Sequence, residues 1–330
     1  MTTKENDQPK WSQETVAGLS RAFMENRVLL TGAELDLFTV AAAAAPLTAK
    51  QIAGRIGADL RALTIVLDAL AAMGLLVKQN ETYSTEPSAA RLLAADSPAS
   101  ILPMIRHSAD LWERWGQLTR RVAGPREKET SRRSFIQAMH VIAAPIAPDI
   151  VALVDPAGAR LLLDVGGASG TYTIAFLKAA PEMRATLFDL PEVIEMARER
   201  VGAAGMLNRV ALVAGDYNRD PLPAGHDLAF VSAIIHQNSA EENVAMFRKI
   251  FAALEPGGRI VVRDHVLSPD RIKPRSGALF AVNMLVGTEG GNSYTEAEIS
   301  DALTQAGFTG ARIIHPDTRM DGLVEAFRPR

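Results

Sequence analysis

Residues 161–173, LLLDVGGASGTYT, constrain this chain more than any other stretch. An apolar run ends in an acid, Asp164, turns through Gly166, Gly167 and Gly170, and passes into a helix-forming segment. A parallel sheet presents such a side-chain-poor turn at the carboxyl end of a strand, where nucleotide-like ligands bind. Glycine lacks a Cβ, so the backbone there adopts positive φ and comes close to a ligand. The spacing D-x-G-x-x-x-G departs from the dinucleotide fingerprint G-x-G-x-x-G, because no third glycine follows where that fingerprint demands one.

Downstream, apolar runs alternate with segments of helical periodicity. Strands are predicted at 161–165, 185–189, 209–214, 227–235 and 259–267, and helices at 171–180, 191–203 and 240–254. This alternation predicts an α/β fold whose parallel sheet is covered on both faces, with right-handed crossovers. The tail differs: a helix near 296–306 stops at Gly307, and strand-like pieces at 311–315 and 323–327 predict a closing hairpin.

The character of the chain changes near residue 125, which divides it into a mainly helical part, 1–125, and an α/β part, 126–330. An apolar helical segment, 134–153, links the two and is interrupted by Pro145 and Pro148. The charge run at 126–133 reads as a solvated loop or helix start. Another helix is predicted at 106–122, carrying Trp112 and Trp115. Upstream, Thr48-x-x-Gln51 is a capping box that opens a helix ending at Gly57. A second helix spans 60–73, and strands at 75–77 and 82–84 flank a turn. Helix, turn, helix and a two-stranded wing resemble a winged helix. Its charges argue against DNA: Lys50, Arg55, Arg61 and Lys78 are balanced by Asp59, Asp68, Glu81 and Glu86, whereas phosphate contacts need a basic surplus. Leu60, Leu63, Ile65, Val66, Leu67 and Leu70 exceed what one core-facing stripe requires, so this helix is expected to be an association surface.

The 330 residues allow two domains, and a net charge of -3 gives no field favouring nucleic acid or anionic lipid. With no cysteine, disulfides, thiolate zinc sites and a cysteine nucleophile are excluded. The polar start and the lack of a long apolar run predict a soluble, cytoplasmic protein with neither membrane nor nucleic-acid partner.

Ligands of open α/β sheets bind beyond the strand ends, so those residues are the candidates. Asp189, at the tip of TLFDL, is placed to accept from a ribose diol; its bland alternative is an acid complementing the helix that starts at Pro191. Asp216 and Tyr217, which close VAGDY, suit an adenine amino group and ring face, or else form a solvated turn. His236, in SAIIHQN, lies in the same crevice and has the side-chain type whose ordinary pKa is nearest neutrality, which makes it a candidate general base. Ser239-x-x-Glu242 caps the next helix, and Asp264 and His265 are placed to orient His236. No tyrosine has a lysine four places on and no Asp-Asn pair occurs, which excludes the short-chain dehydrogenase signature and metal-dependent catechol methylation. No metal site is expected.

From about residue 20 to 327 the chain resembles the class I S-adenosylmethionine (SAM)-dependent O-methyltransferases of the plant-type and bacterial small-molecule family, which includes caffeate, hydroxyindole and polyketide O-methyltransferases. The resemblance rests on LLLDVGGASG, TLFDLPEVI, VAGDY, IIHQNSAEE, LEPGGRIVVRDHVL and MLVGTEGGNSYTEAEI, in that order. It implies a Rossmann-like seven-stranded sheet and an N-terminal winged-helix domain that forms a homodimer. It also implies SAM as cofactor and S-adenosylhomocysteine as product. By resemblance, Asp164, Gly166, Gly167 and Gly170 hold the methionine and sulfonium part, Asp189 and Leu190 the ribose, and Asp216 and Tyr217 the adenine. His236 is the implied base, and Phe135, Met139, Met284 and Thr288 line the acceptor pocket. The family's His-Asp-Trp is His236-Gln237-Asn238 here, and its cofactor-contacting Lys or Arg is Ser232. Asp264 retains one of two flanking carboxylates, while Ser293 replaces the other. Beside a phenolic O-methyltransferase stand a C- or N-methyltransferase on the same scaffold, a silent SAM-binding protein and a ligand-sensing regulator.

Overall fold

The computed structural model describes residues 11–42, 45–125 and 132–330, so the polar start at 1–10 and, of the charge run at 126–133, residues 126–131 lie outside the described residues. The chain divides into two compact units, Met1–Leu118 and Thr119–Arg330.

The second unit is built on a seven-stranded sheet. Its strands are β1 (Leu161–Val165), β2 (Arg184–Asp189), β3 (Val210–Ala214), β4 (His226–Ser232), β5 (Leu254–Asp264), β6 (Thr309–His315) and β7 (Gly322–Phe327). Their order is β6-β7-β5-β4-β1-β2-β3. Strands β1 to β5 run parallel, and β7 enters antiparallel between β5 and β6, which closes the sheet with the expected hairpin. Successive side chains alternate between faces. Leu163, Val165, Ala229, Val231, Ile260 and Val262 pack against the helices Ala240–Ala253 and Glu296–Gln305, through Phe247, Ile250, Ile299 and Leu303. Leu162, Leu187, Leu228, Phe230 and Val261 pack on the other face with Val151, Phe176 and Ile194. Both faces are therefore dry, and the parallel strands read as nearly unbroken apolar runs.

Several expectations need correction. The strand expected through residue 235 stops at Ser232, because Ala233 takes a left-handed conformation (φ 57°) and leaves the ladder. A short 3-10 turn, Ile235–Gln237, then carries His236. The apolar segment 134–153 is two helices, Arg132–Ala143 and Ala147–Val154, bent by 67°. Proline lacks an amide hydrogen and disfavours helix at the preceding residue, so Pro145 ends one helix while Pro148 sits in the first turn of the next. No single helix among the described residues is long and apolar enough to cross a membrane.

In the first unit, helices Phe23–Glu34, Ala49–Ile56, Leu60–Ala72 and Leu102–Gly116 surround a small sheet. The expected strands are Leu76–Gln79 and Thr82–Thr85, joined by a two-residue strand at Leu47–Thr48 too short to leave a periodic signal. The capping box forms as expected: the Gln51 amide donates to Thr48 Oγ1 at 3.2 Å and the Thr48 amide to Gln51 Oε1 at 2.8 Å. The helix Leu60–Ala72 is not an association surface. Of the six, Leu63, Ile65, Val66, Leu67 and Leu70 are buried and only Leu60, at the helix start, is exposed, and the helix packs against Phe23–Glu34, Ala49–Ile56 and the strand Leu76–Gln79. The surplus apolar residues fill this unit's own core. Buried Asp68 accepts from Lys78 Nζ at 2.7 Å and Tyr83 Oη at 2.6 Å, so one of the four basic residues of the winged segment is spent internally.

Candidate active site

The ends of β1, β2, β3, β4 and β5 lie side by side along one edge of the sheet. At the end of β1, Gly166 (φ 67°) and Gly170 (φ 81°) make the turn into the helix Thr171–Ala179. A Cβ on Gly167 would stand 2.7 Å from Leu187 and 2.9 Å from Asp164, so the loop is pressed onto the sheet. Asp164 lies beneath it, fully buried, with Thr173 Oγ1 donating at 2.5 Å. Burial pushes the Asp164 carboxyl up to about 6, against the Thr173 hydrogen bond, and the nearby Asp189 adds to the rise.

At the tip of β2, the Ala168 amide donates to Asp189 Oδ2 at 2.8 Å and the Leu190 amide to Oδ1 at 2.7 Å. Each carboxylate oxygen keeps a second lone pair, which fits the two hydroxyls of a ribose. Burial raises the Asp189 carboxyl above its ordinary range, while those two amides pull it back. Beyond β3, Asp216 Oδ1 accepts from the Asn218 amide at 2.9 Å. Burial pushes the Tyr217 phenol up to about 12, with Asp216 and Asp189 adding to it. Tyr217 Oη reaches Asn238 Oδ1 at 3.5 Å, linking this end of the site to the segment that carries His236.

His236 and Asp264 are brought together. Nδ1 of His236 lies 2.9 Å from both Asp264 oxygens, and a donated Nδ1–H leaves Nε2 as the acceptor. Burial alone would raise the Asp264 carboxyl, but His236, followed by the neighbouring His265, holds it below the usual carboxylate range. Capping by Ser239 and Glu242 fixes the helix just past this turn. The Ser293 hydroxyl donates to the Gly277 carbonyl at 2.9 Å. Ser232 is half-buried and accepts from Arg263 Nη1 at 3.1 Å.

The residues expected around the acceptor lie on two helices. Met284 and Thr288 belong to the end of the helix Arg275–Gly287, where Thr288 Oγ1 donates to the Met284 carbonyl and accepts from Gly291. A Cβ at Gly291 would collide with the His236 carbonyl, and the Asn292 amide donates to that carbonyl at 3.0 Å. This loop therefore clamps the backbone of His236. Phe135 is exposed and Met139 half-buried on the helix Arg132–Ala143. His140, on the same helix, ties it to two others: Arg200 Nη1, on the helix Pro191–Ala203, lies 2.7 Å from His140 Nε2, and Thr171 Oγ1, at the start of the glycine loop's helix, lies 2.8 Å from His140 Nδ1. Burial and the Arg200 charge lower the His140 pKa, and because a guanidinium only donates, Nε2 accepts from Arg200.

Sequence reasoning missed several residues here. Phe280 stands edge-on to His236 at 4.8 Å and also contacts His265 at 5.1 Å. His265 Nδ1 pairs with Asp317 at 2.7 Å, and its amide donates to Asp264 at 2.8 Å. Asp317 comes from the loop before β7, and no local pattern announces such a long-range pair. No group of residues fit to hold a metal occurs among the described residues.

The O-methyltransferase domain family matches residues 121–309, and the O-methyltransferase dimerisation domain family matches residues 17–95. The chain is 32% identical to a 3-hydroxy-5-methyl-1-naphthoate 3-O-methyltransferase of Streptomyces sahachiroi, over 90% of this chain and 89% of that protein. It is 31% identical to the tetracenomycin polyketide synthesis 8-O-methyl transferase of Streptomyces glaucescens, over 91% and 93%. Among solved structures, an O-methyltransferase family 2 protein from Planctomyces limnophilus, in complex with apigenin, aligns with a TM-score of 0.80 at 26% identity over 97% of both chains. With the domain match covering more than half of its length and the glycine loop, strand-end acids and histidine in place, the chain belongs to the O-methyltransferase family and is a SAM-dependent enzyme acting on small molecules.

Proposed function

We propose that the enzyme methylates a phenolic hydroxyl of a small, largely apolar acceptor, with His236 as general base and Asp264 as its orienting partner. The observation that carries this reading is the two-oxygen grip of Asp264 on His236 Nδ1. It fixes one tautomer, aims Nε2 as the acceptor and stabilises the imidazolium that forms. A phenol, with a pKa near 10 like that of tyrosine, is within reach of such a base. Bound SAM supplies a methyl group already activated on a sulfonium, so the protein's tasks are alignment and proton removal.

The turn Asp164–Gly170 takes the methionine and sulfonium part, Asp189 with Leu190 the ribose, and Asp216 with Tyr217 the adenine. Phe135, Met139, Met284 and Thr288 line the acceptor pocket, whose apolar side chains suit a flat aromatic ring. The named activities of the two Streptomyces relatives and the apigenin bound to the Planctomyces protein agree with an aromatic acceptor. The first domain, 1–125, joins two copies, and the second, 126–330, carries the chemistry.

Turnover of His236→Ala with a panel of phenols and isotope-labelled SAM tests this. SAM affinity should stay nearly intact and turnover should fall about 10²–10⁴-fold. Undiminished turnover removes the base role. Product mass spectra that place the label on carbon or nitrogen remove the phenolic acceptor.

A further inference from the structure

Arg263, one residue before Asp264 on β5, is only 4% exposed. Its register partner on β4 is Ser232, to which its Nη1 donates. The guanidinium carbon lies 5.3 Å from the centre of the Tyr172 ring. Its Nε is buried without a hydrogen-bond partner. Among the described residues no carboxylate pairs with Arg263, whereas Arg259 on the same strand pairs with Glu325. A hydroxyl and a ring face do not offset the desolvation of a guanidinium, so a buried cation of this kind calls for an anion.

Its placement identifies the anion. Val231 of β4 lies opposite Val165 of β1, so Ser232 stands beside Gly166, the first glycine of the loop. Arg263, Ser232 and the loop form a row across three adjacent strand ends. The sheet order puts Asp189 and Asp216 on the opposite side of β1 from this row. A ligand whose ribose and adenine rest on β2 and β3 extends its other end over β4. In SAM that end is an amino acid, and its carboxylate matches the planar fork of a guanidinium.

We propose that Arg263, with Ser232, binds the α-carboxylate of SAM, and that the Tyr172 ring face holds the guanidinium in orientation. The inference rests on the reading of the glycine loop as the SAM site. The cation implied by resemblance at position 232 is replaced by one on its register partner, and Ser232 becomes that cation's hydrogen-bond acceptor.

Calorimetric titration with SAM and with 5′-methylthioadenosine, which lacks the amino-acid tail, tests this. Arg263→Met should weaken SAM binding about 10- to 100-fold, the range for hydrogen bonds to charged groups, and leave methylthioadenosine within about twofold. Arg263→Lys should recover part of the loss. Melted without ligand, Arg263→Met should unfold no lower than wild type, because a buried unpaired charge has gone. Unchanged SAM affinity overturns the proposal. Equal loss for both ligands, with a lowered ligand-free melting temperature, makes Arg263 structural and overturns it too. Asp189→Ala should weaken both ligands alike; wild type binding neither of them would mean that the cofactor site itself was misread.

Discussion

At the scale of single residues, the site depends on groups whose charge is expensive to bury. Asp164 has its carboxyl raised to about 6, chiefly by burial. A raised native pKa means that folding favours the protonated form. The associated stability is fully present below the unfolded value, about 3.9, and is lost as pH rises through about 6. Asp164→Asn has no charge to desolvate and keeps an oxygen for the Thr173 hydroxyl. Relative to wild type, the ligand-free variant should gain up to roughly 3 kcal/mol between pH 4 and pH 7. Urea unfolding of both proteins at the two pH values measures this, and a pH-independent difference would show that Asp164 does not titrate in that window. Residues such as Asp164, Asp189 and His236 were legible in the sequence because each closes or follows a strand beside the glycine turn. Arg263, Phe280 and Asp317 were not. Their roles depend on a register partner, a ring angle and a contact 52 positions away, none of which leaves a local pattern.

Elements carry the same contrast. The strands of the main sheet and the helices Pro191–Ala203 and Ala240–Ala253 follow from apolar runs, Pro at a helix start and a capping box. These are short-range signals, so sequence and structure agree there to within a residue or two, except at β5, expected over 259–267 and found at Leu254–Asp264, and at β4. The β4 strand is different, because nothing in VSAII marks Ala233 as left-handed. The packing of Ile234 against Gly166 explains why the chain leaves the sheet there: a Cβ on Gly166 would come within 2.5 Å of Ile234 Cδ1. The turn after β1 and the turn after β4 are thus fitted to each other, and one is the glycine loop while the other carries His236. Gly166→Ala imposes a positive φ on an L residue, at about 1–2 kcal/mol, and also displaces Ile234. A loss of about 2 kcal/mol in unfolding free energy is expected, together with weaker SAM binding, read by denaturant titration and calorimetry. An alanine variant as stable as wild type would show that the two turns are not mutually fitted.

For the whole molecule, the question is what covers the first unit's outer helix. Gln13–Arg21 has no buried residue, and Val16 and Leu19, with Phe23 at the start of the next helix, stay more than half exposed. Their spacing of three and four places them on one face. An isolated helix of nine residues is marginal in water, so this face needs a partner, and the dimerisation-domain match beginning at residue 17 makes a second copy the natural one. The helix Leu60–Ala72 is unavailable for the role, all its large apolar side chains but Leu60 being spent inside the unit. Burying a Leu or Phe contributes about 2–3 kcal/mol, and a twofold interface counts each residue twice. Replacing Leu19 and Phe23 together with glutamate therefore removes on the order of 10 kcal/mol of association free energy, enough to dissociate a nanomolar dimer at micromolar concentration. Sedimentation velocity should find wild type at twice the monomer mass, insensitive to salt because the contact is apolar. The Leu19→Glu, Phe23→Glu variant should sediment as a monomer with an unchanged circular dichroism spectrum. A double variant that remained dimeric would place the interface on another face of the first unit.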